Sequence, residues 1–336
     1  MDTTKRRILY LGAFKEFWAT ENYILAALRN LGHEVTELEE TATSAATIIE
    51  ACKSGSFDLL LFAKGRCRET GGDFDGNAAG KLSSLITTVR RDGVQVCSWQ
   101  FDLLAPEFCP ERWQWAQTVA QACDVFATTD GYSAPKLPHA VVIRQGLPPD
   151  LDHQADWTTE YAGDVLFLGT AYRDRTELMD QLRARFGGRF AMVNNCRGRD
   201  LTALCRSYRI VVGPHYPSHP GYWSNRLYVV TGAGGLFACP TIAGMEQEGW
   251  RASTNYLALP DRPALMAAQL DEYLRWDAAR LRAIQRAGYE LAKTLTYEVR
   301  VQELLSALEA KRASASAAQN IDAEYSSDPD EPTEIE

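Results

Sequence analysis

Short apolar runs alternate with amphipathic stretches along most of the chain, and that alternation sets the first expectation. Arg7-Ile8-Leu9-Tyr10-Leu11 has the length of a buried strand, and Gly12 follows it. Tyr23, Ile24, Ala27, Leu28 and Leu31 then recur on one stripe, which predicts a helix over Thr20–Leu31. Gly32 stops that helix before a strand at His33–Leu38. The same reading gives helices at Ser44–Cys52, Gly80–Arg91 and Arg112–Ala122. It gives strands at Asp58–Phe62, Gln95–Trp99, Asp124–Thr128 and Ala140–Arg144. Strands alternating with helices predict an α/β fold with a parallel, doubly wound sheet.

Around Gly146–Thr159 the pattern breaks into Gly-Leu-Pro-Pro-Asp and a polar run, which reads as a linker. A second alternation follows, with strands at Asp164–Leu168, Phe190–Val193, Ile210–Val212 and Leu236–Cys239. Helices are expected at Arg175–Phe186, Leu201–Arg206, Ser224–Thr231, Pro263–Arg275, Ala278–Leu295 and Tyr297–Lys311. Two successive halves of one pattern predict two Rossmann-like domains, residues 1–148 and 149–312, facing a cleft. Ligands of such open sheets sit at the carboxyl ends of the strands.

Composition changes this picture in three places. The net charge of −9 is concentrated at the end: after Arg312 there are seven acidic residues and no basic ones, so the body carries about −2. Residues 313–336, rich in Ala, Ser, Pro and acid, have little to bury and are expected to form a disordered acidic tail. The eight cysteines are scattered without a CxxC, which suits reduced structural thiols. No apolar run has the length of a signal core or a membrane span, so a cytoplasmic location is expected.

Several chemistries fail on spacing. GxSxG and HExxH are absent, and Gly76…Gly80-Lys81 lacks phosphate-loop spacing, with Leu82 where a hydroxyl is needed. Gly12 is followed by Ala13-Phe14-Lys15, so the dinucleotide fingerprint fails too. His215 and His219 are four apart, but Pro214, Pro217 and Pro220 forbid the helix that would align them on a metal. Asp73-Phe74-Asp75 mimics a metal-binding pair but reads as a turn. No metal is expected.

What remains is anion chemistry in the second half. Gly169-Thr170-Ala171-Tyr172-Arg173-Asp174-Arg175 joins a strand end to a helix start, with backbone amides and arginines positioned for one anion. Ser224-Asn225-Arg226 offers a second such place, Ser224 serving as a helix cap. Solvated arginines with a structural cap are the plainer explanation of either site alone; the two together favour a diphosphate.

The segment Tyr222–Gly235, Tyr-Trp-Ser-Asn-Arg-Leu-Tyr-Val-Val-Thr-Gly-Ala-Gly-Gly, resembles the donor-site motif of GT-B glycosyltransferases of the spore-maturation-protein-like branch, in a phage-type form. Arg282, Gly288 and Thr296-Tyr297-x-x-Arg300 resemble that branch's closing helices, and Asp164–Arg175 its opening strand and arginine. The resemblance implies a nucleotide-sugar donor, a UDP-sugar foremost, held by the second lobe without a metal and used with retention of configuration. Arg226 and Arg175, or Arg173, would neutralise the leaving diphosphate. Gly12, Gly169, Ser224, Asn225, Tyr228, Gly234 and Gly235 would complete the donor site. Val229 stands where the branch carries a glutamate that grips the ribose; valine cannot accept a hydrogen bond, so Glu246 is the substitute candidate. Asp102, at a strand end of the first lobe, is the candidate base; a turn cap is its alternative role.

Three functions compete: transfer to a carbohydrate or small acceptor, transfer to a hydroxymethylated base in DNA by a phage-type enzyme (then located in the host cytoplasm), and binding of a nucleotide sugar without turnover. The DNA reading asks for a basic face, for which Lys64, Arg66, Arg68, Lys81, Arg90 and Arg91 are candidates. It also asks for a base-stacking ring such as Trp113 or Trp115. Solvated charges and buried aromatic area are the plainer readings of both.

Overall fold

The computed structural model describes residues 5–16, 19–55, 57–64, 66–70, 74, 76–151, 153, 157, 160–170, 175–214 and 219–325. Six strands, β1 (Arg7–Gly12), β2 (Glu34–Glu39), β3 (Leu59–Ala63), β4 (Gln95–Gln100), β5 (Val125–Thr128) and β6 (Ala140–Val142), form the first sheet. Their order is β2-β1-β3-β4-β5-β6, every pair parallel. The second sheet holds β7 (Gly163–Leu168), β8 (Phe190–Val193), β9 (Tyr208–Val212), β10 (Phe237–Pro240) and β11 (Leu257–Leu259). Its order is β11-β10-β9-β7-β8, again all parallel. The strand order reverses between β1 and β3 in one sheet and between β7 and β9 in the other. Those are the switch points where such sheets open a crevice.

Both faces of each sheet are covered, which is why the central strands read as continuous apolar runs. In β1, Leu9 and Leu11 face the core under α2 (Ala45–Lys53), α3 (Gly76–Arg91) and α4 (Pro110–Ala122). Ile8 and Tyr10 face the opposite core, under α1 (Thr20–Asn30). In the second lobe, Leu166 and Leu168 of β7 pack with α6 (Gly198–Arg206), α7 (Arg226–Gly232) and α9 (Ala278–Lys293). Val165 and Phe167 pack with α5 (Thr176–Phe186) and α8 (Pro263–Tyr273). No helix among the described residues is long and apolar enough to cross a membrane.

The end of the chain departs from expectation twice. Helix α10 runs from Tyr297 to Tyr325, so backbone expected in the tail continues the helix; residues 326–336 lie outside the described set. The alanines of that stretch have the highest helix propensity, which carries the helix beyond its last buried turn. Helix α10 also leaves the lobe it follows: Tyr297, Val301, Leu304, Leu305 and Leu308 enter the first-lobe core with Ile8, Tyr10, Ile24 and Leu28. Two crossings between the lobes therefore run side by side, with Leu147 N–H bonding the Leu295 carbonyl at 2.8 Å. Gly146 allows this approach, since a β-carbon there would stand 2.6 Å from Tyr297 N.

Candidate functional site

The crevice at the second switch point is a cavity of about 260 Å³. Leu168, Gly169 and Thr170 from the end of β7, Val193–Gly198 from the β8–α6 connection, and Asn225, Arg226 and Val229 from α7 wall it on one side. Thr20 and Tyr23 of α1 and Pro148, Asp150 and Leu151 of the linker also line it. It is thus an interlobe site at carboxyl strand ends.

Arg226 lies across the ends of β7 and β9. A β-carbon on Gly169 would stand 2.9 Å from its Nη2, and one on Gly213 would stand 3.6 Å from its Cδ. Gly169 has φ +128°, a region that side chains avoid, so the strand end can turn here and leave room for the guanidinium. Arg175 takes the cap position of α5, and its Nη1 reaches back to the Thr170 carbonyl at 3.2 Å. Both guanidinium groups therefore converge on the Gly169–Thr170 turn, although Arg175 is not among the described lining residues. Arg173 lies outside the described residues, as do His215, Asp73 and Asp75.

Several expected donor-site residues stand elsewhere. Asn225, not Ser224, occupies the cap position of α7, and no side-chain capping bond is made from it. Tyr228 is buried: Trp223 Nε1 donates to its hydroxyl at 2.9 Å, and the hydroxyl donates to Glu248. The alternation of α7 turns Tyr228 inward and leaves Val229 on the cavity wall. Gly234 and Gly235 lie at the far end of α7, where they make the turn into β10. Gly234, at φ +81°, accepts from Gln285 Nε2 at 2.7 Å, and a β-carbon on Gly235 would stand 2.8 Å from Val230 Cγ1. Their small size serves backbone packing, away from the cavity. Glu246 is exposed on the short turn after β10 and does not line the cavity. Gly12 sits at the end of β1, where a β-carbon would stand 2.9 Å from Glu21 Cγ; it admits α1 to the sheet end.

Asp102 is exposed and paired with Arg112 at 3.6 Å. It stands beside Tyr222 of the second lobe, whose phenol is pushed up by burial and by the Asp102 charge, with Arg226 pulling it down. The candidate basic face is largely neutralised: Lys64 pairs with Glu21 (2.7 Å), Arg66 with Glu40 (4.0 Å), Arg68 with Glu69 (3.2 Å) and Arg90 with Asp124 (2.6 Å). Trp115 is a core residue packed on Phe74 and Phe126, and Trp113 packs on the same core. Trp115 therefore has no face to offer a base.

Tyr23, Asp150 and the Asn194-Asn195-Cys196-Arg197-Gly198 connection also line the cavity, beyond the residues expected there from the sequence. A signal was present there, since polar residues and a glycine follow an apolar strand and precede a helix, as at Gly169. Gly198 has φ +55°.

Two doubly wound parallel sheets, with a cavity lined from both lobes, match the fold of the GT-B glycosyltransferases. HepE from Anabaena, crystallised with UDP and glucose, superposes over 91% of this chain and 100% of its own, at 11% identity and a TM-score of 0.63. A glycosyltransferase from Rickettsia africae covers 92% and 99%, at 12% identity and 0.63. Sucrose-phosphate synthase from Thermosynechococcus elongatus covers 91% and 100%, at 11% identity and 0.62. At these identities the likeness is one of fold. No protein-family model matches the sequence, and no curated protein matches it.

Proposed function

We propose that this protein is a glycosyltransferase that moves a sugar from a nucleotide-sugar donor, a UDP-sugar foremost, onto an acceptor hydroxyl. The observation that carries the reading is Arg226 lying over the ends of β7 and β9 at the cavity wall, with Arg175 turned to the same turn. The bond from the anomeric carbon to the diphosphate breaks as the bond to the acceptor oxygen forms. Negative charge grows on the diphosphate, and fixed guanidinium groups stabilise that charge more in the transition state than before it. Transfer proceeds with retention and without a metal, the departing phosphate accepting the hydroxyl proton; Asp102 is the alternative base from the first lobe. Gly169 and Asn225 shape the donor site, and the acceptor is a carbohydrate or small molecule. DNA is disfavoured because four of the six candidate first-lobe cations, Lys64, Arg66, Arg68 and Arg90, are paired with carboxylates and Trp115 is buried.

One observation favours a second reading, a nucleotide-sugar binder without turnover: the apolar Val229 faces the cavity. Incubation with a panel of nucleotide sugars separates the two, because release of nucleoside diphosphate excludes a pure binder. Arg226→Ala should lower turnover by about a hundredfold to a thousandfold, as removal of a preorganised charge stabiliser does. Circular dichroism should leave its fold unchanged. Full turnover by that variant would sink the assignment.

A further inference from the structure

A second opening between the lobes lies beside the paired crossings and shares no lining residue with the cavity at β7. It consists of two adjoining crevices of about 330 and 460 Å³, which have Val142, Arg144, Gly244 and Gln247 in common. Val142 and Arg144 belong to the first lobe, Gly244 and Gln247 to the second. Arg144 is 8% exposed, and it is the only charged side chain among the described residues lining the smaller crevice. Its Nη1 donates to the Thr129 and Gly221 carbonyls, and the guanidinium lies 3.7 Å over the Trp223 ring. Nε and Nη2 make no hydrogen bond among the described residues. Burial lowers the Arg144 pKa, while Tyr228, Glu248 and Asp130 raise it. Both of those carboxylates are committed elsewhere. Glu248 accepts from Tyr228 and Arg300, and Asp130 accepts from the backbone N–H groups of Leu104, Tyr132 and Ser133.

A buried charge without a counter-charge is unfavourable. A guanidinium with Nε and Nη2 both open presents a planar fork that takes two oxygens of one anion. The bonds of Nη1 and the indole beneath hold this fork in place, so a ligand has little left to order. Gly131 keeps the fork uncovered, since a β-carbon there would stand 2.8 Å from Nη2. Around it the wall is apolar, with Val142 41% and Tyr132 39% exposed beside Pro220, and the Gln247 amide lines it from the second lobe. We propose that this crevice binds a small organic anion, a carboxylate or phosphate head on an apolar body, and that the ligand bridges the two lobes. The head takes the Nε–Nη2 fork, and the body rests on Val142 and Tyr132. Such a site stands whatever fills the cavity at β7.

Hydrogen exchange on the whole chain tests it, with benzoate and phenyl phosphate as probes at constant ionic strength. The readouts are two amides: Gly131, bonded to the Gly221 carbonyl across the lobes, and Tyr222, bonded to the His219 carbonyl within the docked loop. A bridging anion should slow both about tenfold when present at ten times its Kd. Slowing by benzoate alone identifies a carboxylate head, by phenyl phosphate alone a phosphate head, and by both a fork that accepts either. Val142→Glu sets a carboxylate in the crevice without altering Arg144, and should abolish the slowing. Arg144→Lys keeps the charge and loses the fork, and should reduce the slowing to under about twofold. Arg226→Ala should leave it intact. No slowing by either probe in wild type overturns the proposal, as does slowing that survives in both Val142→Glu and Arg144→Lys. Slowing lost in Arg226→Ala would put the anion in the cavity at β7 and overturn it equally. Val142 lies on the edge strand of its sheet, so Val142→Glu stays decisive if Arg144→Lys folds poorly.

Discussion

A buried carboxylate tests how single residues are tuned in the first lobe. Glu40 is 2% exposed, its Oε2 has no hydrogen-bond partner among the described residues, and Arg66 approaches only to 4.0 Å. Burial holds its carboxyl above the usual range, with Lys64 and Arg66 pulling the other way. The sign follows from linkage. A group whose pKa is higher in the folded state favours folding fully only below its unfolded value, and that contribution is lost as pH rises through the folded value. Glu40→Gln keeps the shape and removes the ionisation. Relative to wild type it should gain on the order of 1 kcal/mol at pH 7, roughly 2–4 °C in Tm, and nothing near pH 4. Thermal unfolding at the two pH values measures it; a loss at pH 7 would show that the pair with Arg66 outweighs the cost of burial.

The elements were largely legible, because alternation of apolar runs with 3.6-residue stripes is a local property. Every central strand was readable, whereas β11 is only Leu257-Ala258-Leu259 before Pro260 and carries too little pattern. The Gly169–Arg175 turn and Asn225-Arg226 were readable as strand-end anion chemistry. The roles expected for Gly234, Gly235, Tyr228 and Glu246 were not, because a motif string does not say which way a seven-residue helix turns each side chain. Asp150 was hidden for a related reason: its neighbour Tyr23 is 127 positions away in sequence. A stripe also names no partner, so the pattern of α10 alone does not say that it packs on the first lobe. Leu304 of α10 is fully buried in the first-lobe core. Leu304→Ala should therefore cost about 2–5 kcal/mol, the range for truncating a buried leucine. Urea unfolding of the whole chain measures the loss, and hydrogen exchange should locate it in α1 and β1. A cost under about 1 kcal/mol, or exchange confined to the second lobe, would contradict this packing.

At the scale of the molecule, the lobes are held in register by a loop of the second lobe docked on the first. The Gly221 carbonyl accepts from Gly131 N at 2.8 Å and from Arg144 Nη1 at 2.8 Å, and the same guanidinium lies 3.7 Å over the Trp223 ring. Gly221 at φ +67° permits the contact, since a β-carbon would stand 2.7 Å from Tyr132 N. Arg300 of α10 adds an ion pair to Glu248 at 2.6 Å on the same side. Five residues beyond Gly221 comes Arg226, so a loop fixed on the first lobe also fixes the proposed phosphate cation relative to whatever the first lobe holds. Burial lowers the Arg144 pKa, a sign that this guanidinium is poorly hydrated and retained for its contacts. Arg144→Ala removes one donor from the Gly221 carbonyl and the cover over Trp223, while Arg226 keeps its place over β7 and β9. Binding of UDP should then change by less than about twofold, because the proposed phosphate cation keeps its place. Turnover should fall about tenfold or more, because misplacing the acceptor relative to the donor raises the barrier without weakening either contact. Hydrogen exchange at Gly131 and Tyr222 should rise in parallel. If the amides stay protected and turnover is unchanged, the lobes are held by the paired crossings at Leu147 and Leu295 alone; if UDP binding falls with turnover, the loop belongs to the donor site itself.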